Sequence, residues 1–430
     1  MPSPSPADPA AGGVAVAGQG AVAASAGEGA GPDARPQVVG VIGAGTMGRG
    51  IAQVAAQAGC EVVLVDEDAA RPREAIAAVL ADLGRLADRG KLPADAVAGA
   101  RERLRAGAGL GDIAAADLVV EAVFEDLELK KRLFGDLESR VADRAILATN
   151  TSALPVTAIA AACRHPERVV GLHFFNPVPR MALVEVIAGH QTAPAVSRRA
   201  ARFALDLGKT PVQAQDTPGF VVNRVARPFY LEALKMLGDT EYACGAIDAA
   251  LRAAGFRMGP FELLDLIGLD VNFAVTSAVH DGYFGEPRFR PHPLQRRMVL
   301  ARQLGRKTGR GFYGYEDGQV PPQEPAPEYD PADPLALPGL HPAAARVVAM
   351  LVNEACFALG ERIASPGDID RAMVLGMNFP AGPLAWGDKL GPDRIERLLD
   401  ALRLFYGEER YRVAPVLRRS VARGAKLTAS

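Results

Sequence analysis

From residue 37 to residue 216 the chain alternates short β-branched runs with longer stretches whose apolar positions recur at helical spacing. Gln37-Val-Val-Gly-Val-Ile42, Glu61-Val-Val-Leu-Val65, Asp117-Leu-Val-Val-Glu-Ala122, Ala145-Ile-Leu-Ala-Thr149, Arg168-Val-Val-Gly-Leu-His173 and Thr210-Pro-Val-Gln-Ala214 predict strands. Residues 51–58, 127–140, 155–162 and 195–207 predict the helices between them. Strands that are apolar along their whole length and separated by helices belong to a parallel sheet covered on both faces. Residues 68–106 interrupt the alternation as two helices joined at Gly90-Lys-Leu-Pro93, a helical hairpin inserted in the sheet domain. Its Arg85, Arg89, Lys91, Arg101, Arg103 and Arg105 form either a solvated face or a clamp for an anionic handle on a substrate.

Past Pro218 the pattern becomes helical, with one stripe at residues 221, 222, 225, 229, 233, 234 and 237. An internal repeat follows. Leu-Glu-Ala at 231–233 matches Asn-Glu-Ala at 353–355, and Ile-Asp-Ala-Ala at 247–250 matches Ile-Asp-Arg-Ala at 369–372. Gly259-Pro260 with Asp265 matches Gly382-Pro383 with Asp388. A near-constant offset of this kind predicts a duplicated helical unit. The expected organisation is an arm over 1–36, an α/β domain over 37–216, a helical domain over 217–315, a proline-rich linker over 316–342 and a second helical domain over 343–430.

Composition narrows the chemistry. With 430 residues, 49% hydrophobic, 23% charged and a net charge of -2, the chain reads as a soluble multidomain protein without the basic footprint that nucleic acid or anionic membrane requires. Cysteines 60, 163, 244 and 356 stand far apart without a C-x-x-C pair, so neither a metal site nor a disulfide framework is expected, and a cytoplasmic setting fits. Residues 1–36 are mostly Ala, Gly, Pro and Ser with no basic start, which reads as a disordered arm and not a signal peptide.

Two constellations carry candidate chemistry. Gly43-Ala44-Gly45-Thr46-Met47-Gly48 sits between the first strand and first helix, and Asp66 closes the second strand. Glycines at these positions permit a tight turn, close approach of a pyrophosphate and helix–strand packing, as in the Rossmann-type dinucleotide site. Asp66 at the ribose favours NAD over NADP, although Arg71 and Arg73 lie nearby. The second constellation is Gly171-Leu-His-Phe-Phe-Asn-Pro-Val-Pro-Arg-Met-Ala-Leu-Val-Glu185. Folding back about Pro179 would make His173 and Glu185 cross-strand neighbours, with Cβ atoms roughly 5 Å apart. Such a pair is a base with its orienting carboxylate or a core histidine beside an acid. Glu121, Asn150, Ser152 and His173 all fall at or just past strand carboxyl ends, where ligands of doubly wound sheets bind. Ser152 could instead cap the helix after Pro155, and Asn223 is either a surface or capping residue or one facing a cleft at the domain junction.

Taken together, these blocks resemble the L-3-hydroxyacyl-CoA dehydrogenases from about Val38 to Asp388. The resemblance runs through Gly-Ala-Gly-Thr-Met-Gly (43–48), Val-Glu-Ala (120–122), Asn-Thr-Ser (150–152), Gly-Leu-His-Phe-Phe-Asn-Pro-Val-Pro (171–179) and Leu-Val-Glu-Val-Ile (183–187). It continues through Asp-Thr-Pro-Gly-Phe-Val-Val-Asn-Arg (216–224), Met-Gly-Pro-Phe-Glu-Leu-Leu-Asp (258–265) and Gly-Arg-Lys-Thr-Gly-Arg-Gly-Phe-Tyr (305–313). It implies a Rossmann-type domain followed by two tandem all-α domains, NAD as cofactor and an acyl-CoA substrate. By the same resemblance His173 is the base, Glu185 its partner, and Ser152 and Asn223 the polar groups around the substrate oxygens. Glu121, Asn150 and Lys307 are placed near the cofactor and Asp66 on its adenine-side ribose. Ala153 departs from the family pattern, in which a second hydroxyl follows Ser152. The duplicated helical unit suggests a monomer with an internal pseudo-dimer, with a homodimer as the alternative. A dehydrogenase of a free hydroxy or sugar acid, or a non-catalytic relative of the same fold, stands beside this reading.

Overall fold

The computed structural model describes residues 36–239, 242–315, 324–333 and 335–429. The expected disordered arm, apart from Pro36, and the first part of the expected linker lie outside these residues. Eight strands among the described residues form one sheet: β1 Val38–Ile42, β2 Glu61–Val65, β3 Leu104–Ala106, β4 Leu118–Glu121, β5 Ile146–Thr149, β6 Val169–Phe174, β7 Leu183–Ala188 and β8 Thr210–Gln215. Their order is β3-β2-β1-β4-β5-β6-β7-β8, and every pairing is parallel except β6 with β7. The order reverses direction between β1 and β4, which opens a crevice at their carboxyl ends for a ligand.

The inserted hairpin is present as helices Arg71–Asp88 and Ala94–Arg103, but the latter runs directly into β3. Three residues of strand at the end of a charged helix leave almost no period-2 pattern, so the sequence reading saw two helices and no strand. The reversal at Pro177–Pro179 forms a β6–β7 hairpin, with His173 opposite Glu185 in register.

The stripe past Pro218 is buried except for half-buried Leu237, from Val221 through helices Val222–Val225 and Arg227–Asp239, yet the second helix is also buried on faces that carry Arg227, Tyr230 and Glu232. Helix Pro342–Gly360 of the second copy covers them. This helix is long and apolar enough to cross a bilayer, but it is almost wholly buried inside the protein. Its Arg346 and Glu354 are ion-paired, which marks a core helix.

The two copies use equivalent residues for equivalent contacts. Asp248 accepts hydrogen bonds from the N–H groups of Phe261 and Glu262, and Asp370 from those of Leu384 and Ala385, each at the start of the helix that follows Gly259 or Gly382. Asp265 receives the N–H groups of Phe312 and Tyr313, and Asp388 those of Leu427 and Thr428. Between the copies the contacts are reciprocal. Arg224 Nε donates to Glu354 at 2.7 Å and Arg288 Nη1 to the same carboxylate at 2.5 Å. Their counterparts 122 positions on, Arg346 and Arg410, hold Glu232 at 2.6 and 3.0 Å. An exchange in which each copy offers the same arginines to the same glutamate of the other is the signature of an isologous two-fold contact, here within one chain.

Candidate active site

The glycine-rich turn follows β1 and begins helix Thr46–Gln57 without any side-chain cap, which leaves the first N–H groups of that helix for an anion. A Cβ on Gly48 would lie 1.8 Å from the carbonyl oxygen of Gly43, whereas a Cβ on Gly45 would meet no protein atom within 4 Å. Gly45 is therefore small for the benefit of something outside the fold, which fits a pyrophosphate approaching the turn. Asp66 Oδ2 accepts from Ala44 N–H at 2.7 Å and so holds the turn against the end of β2. A pocket of about 570 Å³ opens here, lined by Gly43, Gly45, Thr46, Met47, Asp66 and the segment Ala122–Phe124 after β4. These residues fit a dinucleotide.

Farther along the same edge of the sheet, His173 Nδ1 lies 2.7 Å from Glu185 Oε2, with both side chains buried. The second oxygen, Glu185 Oε1, accepts from the backbone N–H groups of Val221 and Val222 at 3.0 and 2.9 Å. Those two groups converge because Gly219 and Phe220 both turn left-handed, at φ of 77° and 50°. A phenylalanine in that region is strained and persists only where surrounding contacts over-determine it. Phe175 and Phe220 flank the imidazole, with ring centroids at 4.4 and 6.0 Å. The carboxylate is thus fixed on both oxygens, and the ring is held with Nδ1 toward it and with no protein partner on Nε2 among the described residues.

Asn150 and Ser152 lie just past β5. Asn150 Oδ1 accepts from Phe174 N–H at 2.9 Å, which ties this loop to the end of β6 beside His173. Asn223 Nδ2 donates to the Ser152 carbonyl at 3.2 Å, so the asparagine faces the loop across the domain junction. Ser152 does not cap the helix that follows: Asp216 takes the N–H groups of Val156 and Thr157.

Two further residues expected near the cofactor, Glu121 and Lys307, are held by contacts within the protein. Glu121 is fully buried and both its oxygens are engaged, by Lys130 at 2.5 Å, Val123 N–H at 2.7 Å and Thr149 Oγ1 at 2.7 Å. As the last residue of β4 it shares Lys130 with Glu125 in the loop that follows. Lys307 is paired with Asp270 at 2.5 and 2.7 Å and does not line the described pocket.

The acid that does reach the site is Glu125, which the sequence reading missed. Its Oε1 accepts from Thr151 Oγ1 at 2.6 Å, Ser152 N–H at 2.8 Å and Ser152 Oγ at 3.3 Å, and Lys130 lies 3.3 Å from Oε2. Burial alone would raise this carboxyl, but Lys130 and the donors of Thr151 and Ser152 outweigh it and hold it below the usual range. A signal existed. Lys130 occupies an apolar stripe with Leu127, Phe134 and Leu137, and a lysine there needs buried acids within reach.

Comparison with known proteins agrees with this geometry. The family model for the NAD binding domain of 3-hydroxyacyl-CoA dehydrogenase matches residues 38–217, and that for the C-terminal domain matches 219–315 and again 343–429. The 3-hydroxyadipyl-CoA dehydrogenase of Escherichia coli K12 is 41% identical over 89% of this chain and 97% of its own. A probable 3-hydroxybutyryl-CoA dehydrogenase of Deinococcus radiodurans is 44% identical over 64% of this chain and 99% of its own. The crystal structure of 3-hydroxybutyryl-CoA dehydrogenase from Escherichia coli K12 superposes with a TM-score of 0.85, at 39% identity, covering 90% of this chain and 99% of that one. With both family models matched over an NAD turn and a carboxylate-held histidine, this chain belongs to the 3-hydroxyacyl-CoA dehydrogenases and is an NAD-dependent oxidoreductase of 3-hydroxyacyl-CoA.

Proposed function

We propose that His173 is the base of this dehydrogenase and Glu185 the group that holds it. The observation that carries the reading is the Glu185 carboxylate, one oxygen on His173 Nδ1 and the other on two backbone N–H groups. With Nδ1–H directed at the carboxylate, Nε2 is the acceptor that takes the C3 hydroxyl proton, and the imidazolium that forms faces a buried negative charge. NAD, when bound, supplies the hydride acceptor. Ser152 and Asn223 orient the reacting oxygens, an effect that acts through position and not through charge. Gly43, Gly45, Thr46, Met47, Gly48 and Asp66 hold the cofactor, and Asn150 keeps the β5 loop beside His173.

The substrate reading is a medium-length acyl-CoA with a carboxylate at its far end. The E. coli relative named for 3-hydroxyadipyl-CoA, a dicarboxylic thioester, covers nearly the whole chain and supports this choice. The two helical units take each other's place as dimer partners, so the chain acts as a monomer, in a cytoplasmic setting consistent with four cysteines, at 60, 163, 244 and 356, that form no disulfide among the described residues. Replacing His173 by Ala is expected to lower turnover by roughly 10²–10⁴-fold with NAD affinity retained, measured by steady-state kinetics and NADH fluorescence titration. A His173→Ala enzyme of near-normal turnover would overturn the assignment.

A further inference from the structure

Six arginines among the described residues are buried: Arg168, Arg224, Arg227, Arg288, Arg346 and Arg410. Five of them face a carboxylate, from Glu138, Glu354 with Glu361, Glu286 with Glu354, or Glu232. Arg227 faces none. Its Nε donates to the Asn223 carbonyl at 2.6 Å and its Nη1 to Thr276 Oγ1 at 3.0 Å, while its Nη2 has no protein partner among the described residues. Thr276 Oγ1 donates to the Asn272 main-chain carbonyl at 2.8 Å and lies 3.4 Å from Asn272 Oδ1, which accepts from Gln295 Nε2 at 3.0 Å, so a line of buried polar groups starts at this guanidinium. The far end of that line, Gln295 Oε1, is buried and also unpartnered. Removing a charge from water without a counterion is costly, and a fold tolerates it where a ligand completes the pair. Burial pulls the Arg227 guanidinium down to about 10, with only the Tyr230 hydroxyl opposing.

Arg227 also lies in the right place. It is four residues beyond Asn223, hydrogen-bonded to its carbonyl, and the Asn223 amide faces Ser152. We propose that Arg227 binds a carboxylate at the far end of the acyl chain, so that the preferred substrate is the thioester of a 3-hydroxy dicarboxylic acid. This rests on the dehydrogenase reading above and adds to it the residue that selects the acyl tail. In a six-carbon diacid the far carboxyl stands three bonds past the reacting C3, about 4 Å, and an ionic hydrogen bond adds about 2.8 Å. Arg227 reaches back across the break between helices Val222–Val225 and Arg227–Asp239 to the Asn223 carbonyl, which sets its guanidinium beside the residue that faces the Ser152 loop. A planar fork with Nη2 open offers the carboxylate a charge-assisted bond, and Thr276 keeps the fork in place.

The test compares kcat/KM for 3-hydroxyadipyl-CoA and for 3-hydroxyhexanoyl-CoA, which has the same chain length without the carboxylate, in the wild type, Arg227→Met and Arg227→Lys. The wild type should favour the diacid by about 10–100-fold, the value of a hydrogen bond to a charged partner. Arg227→Met should abolish that preference, chiefly through a raised KM for the diacid, and Arg227→Lys should restore part of it. Equal losses on both thioesters in Arg227→Met, or no diacid preference in the wild type, would overturn the proposal. Inactivity of the wild type on both thioesters would instead overturn the dehydrogenase reading on which it rests. Should Arg227→Met fail to fold, Thr276→Val loosens the fork alone and should raise the diacid KM several-fold more than the monoacid KM; equal effects would again overturn the proposal.

Discussion

Glu185 illustrates how much one carboxylate can be asked to do. Two backbone donors on Oε1 fix the side chain as a hydrogen-bond acceptor, so the oxygen left for His173 must also accept, and the imidazole is forced to carry its proton on Nδ1. Glu185→Gln keeps the shape and reverses this. The amide oxygen stays on the backbone donors, its NH₂ meets Nδ1, and the proton moves to Nε2, where it blocks base catalysis. Turnover of Glu185→Gln is expected to fall by roughly 10²–10⁴-fold with KM for NADH little changed, which stopped-flow hydride transfer would measure. The pairing of His173 with Glu185 was legible because period-2 register about a fixed reversal leaves one geometry. The choice between Glu121 and Glu125 was not. Glu121 ends β4 and Glu125 lies in the loop after it, and which of them meets the Ser152 loop is decided by Lys130 and Thr149, which approach Glu121 from a helix and a neighbouring strand.

At the scale of elements, the glycine-rich turn separates two reasons for smallness that look identical in sequence. Gly48 is small because the turn closes on itself, whereas Gly45 faces open space, which the proposed function assigns to the cofactor's pyrophosphate. Gly48→Ala must push apart helix and turn and is expected to lower the melting temperature of the apo protein. Gly45→Ala should melt as the wild type does, yet bind NAD more weakly by about tenfold or more, since a methyl in the pyrophosphate path displaces the closest backbone contact. Thermal melts with and without NAD distinguish the two, and equal apo destabilisation would contradict this division. Strand and helix positions along the sheet were legible to within one or two residues at most ends, because each is a short apolar run between helices. β3 was not, since its pairing with β2 comes from the sheet and not from its own three residues. Helix Arg227–Asp239 reads as amphipathic but is buried nearly all round, because the face that would be wet in a single helical unit is covered by the second.

For the molecule as a whole, the reciprocal arginine–glutamate contacts make the two helical units one structure. Glu232 is fully buried, and although burial alone would raise its carboxyl, Arg410 and Arg346 hold it below the ordinary 4.5. Glu286 is likewise lowered, its burial outweighed by Arg412 from the other unit and by Arg288. A carboxylate whose folded pKa lies below its unfolded one contributes stability that is complete above the unfolded value and lost as pH falls through the folded value. Contact between the units should therefore be strong at neutral pH and weaken below about 4.5, ahead of any acid loss of the apolar sheet core. Trp386 is the chain's single tryptophan and packs against Phe256 across the units, with ring centroids 5.5 Å apart, so its fluorescence reports this contact directly. Its emission is expected to shift red between pH 5 and pH 3 before far-UV circular dichroism changes. Arg346→Met, which leaves Glu232 with Arg410 alone, should cost about 3–5 kcal/mol and move the fluorescence transition toward neutral pH, whereas Arg346→Met with Glu232→Leu should recover most of that loss because no buried charge is stranded. Removing residues 340–430 uncovers the apolar faces of helix Arg227–Asp239 and is expected to yield a dimer or an aggregate by light scattering. A soluble, active monomer from that truncation would show that the second unit is not the first unit's partner.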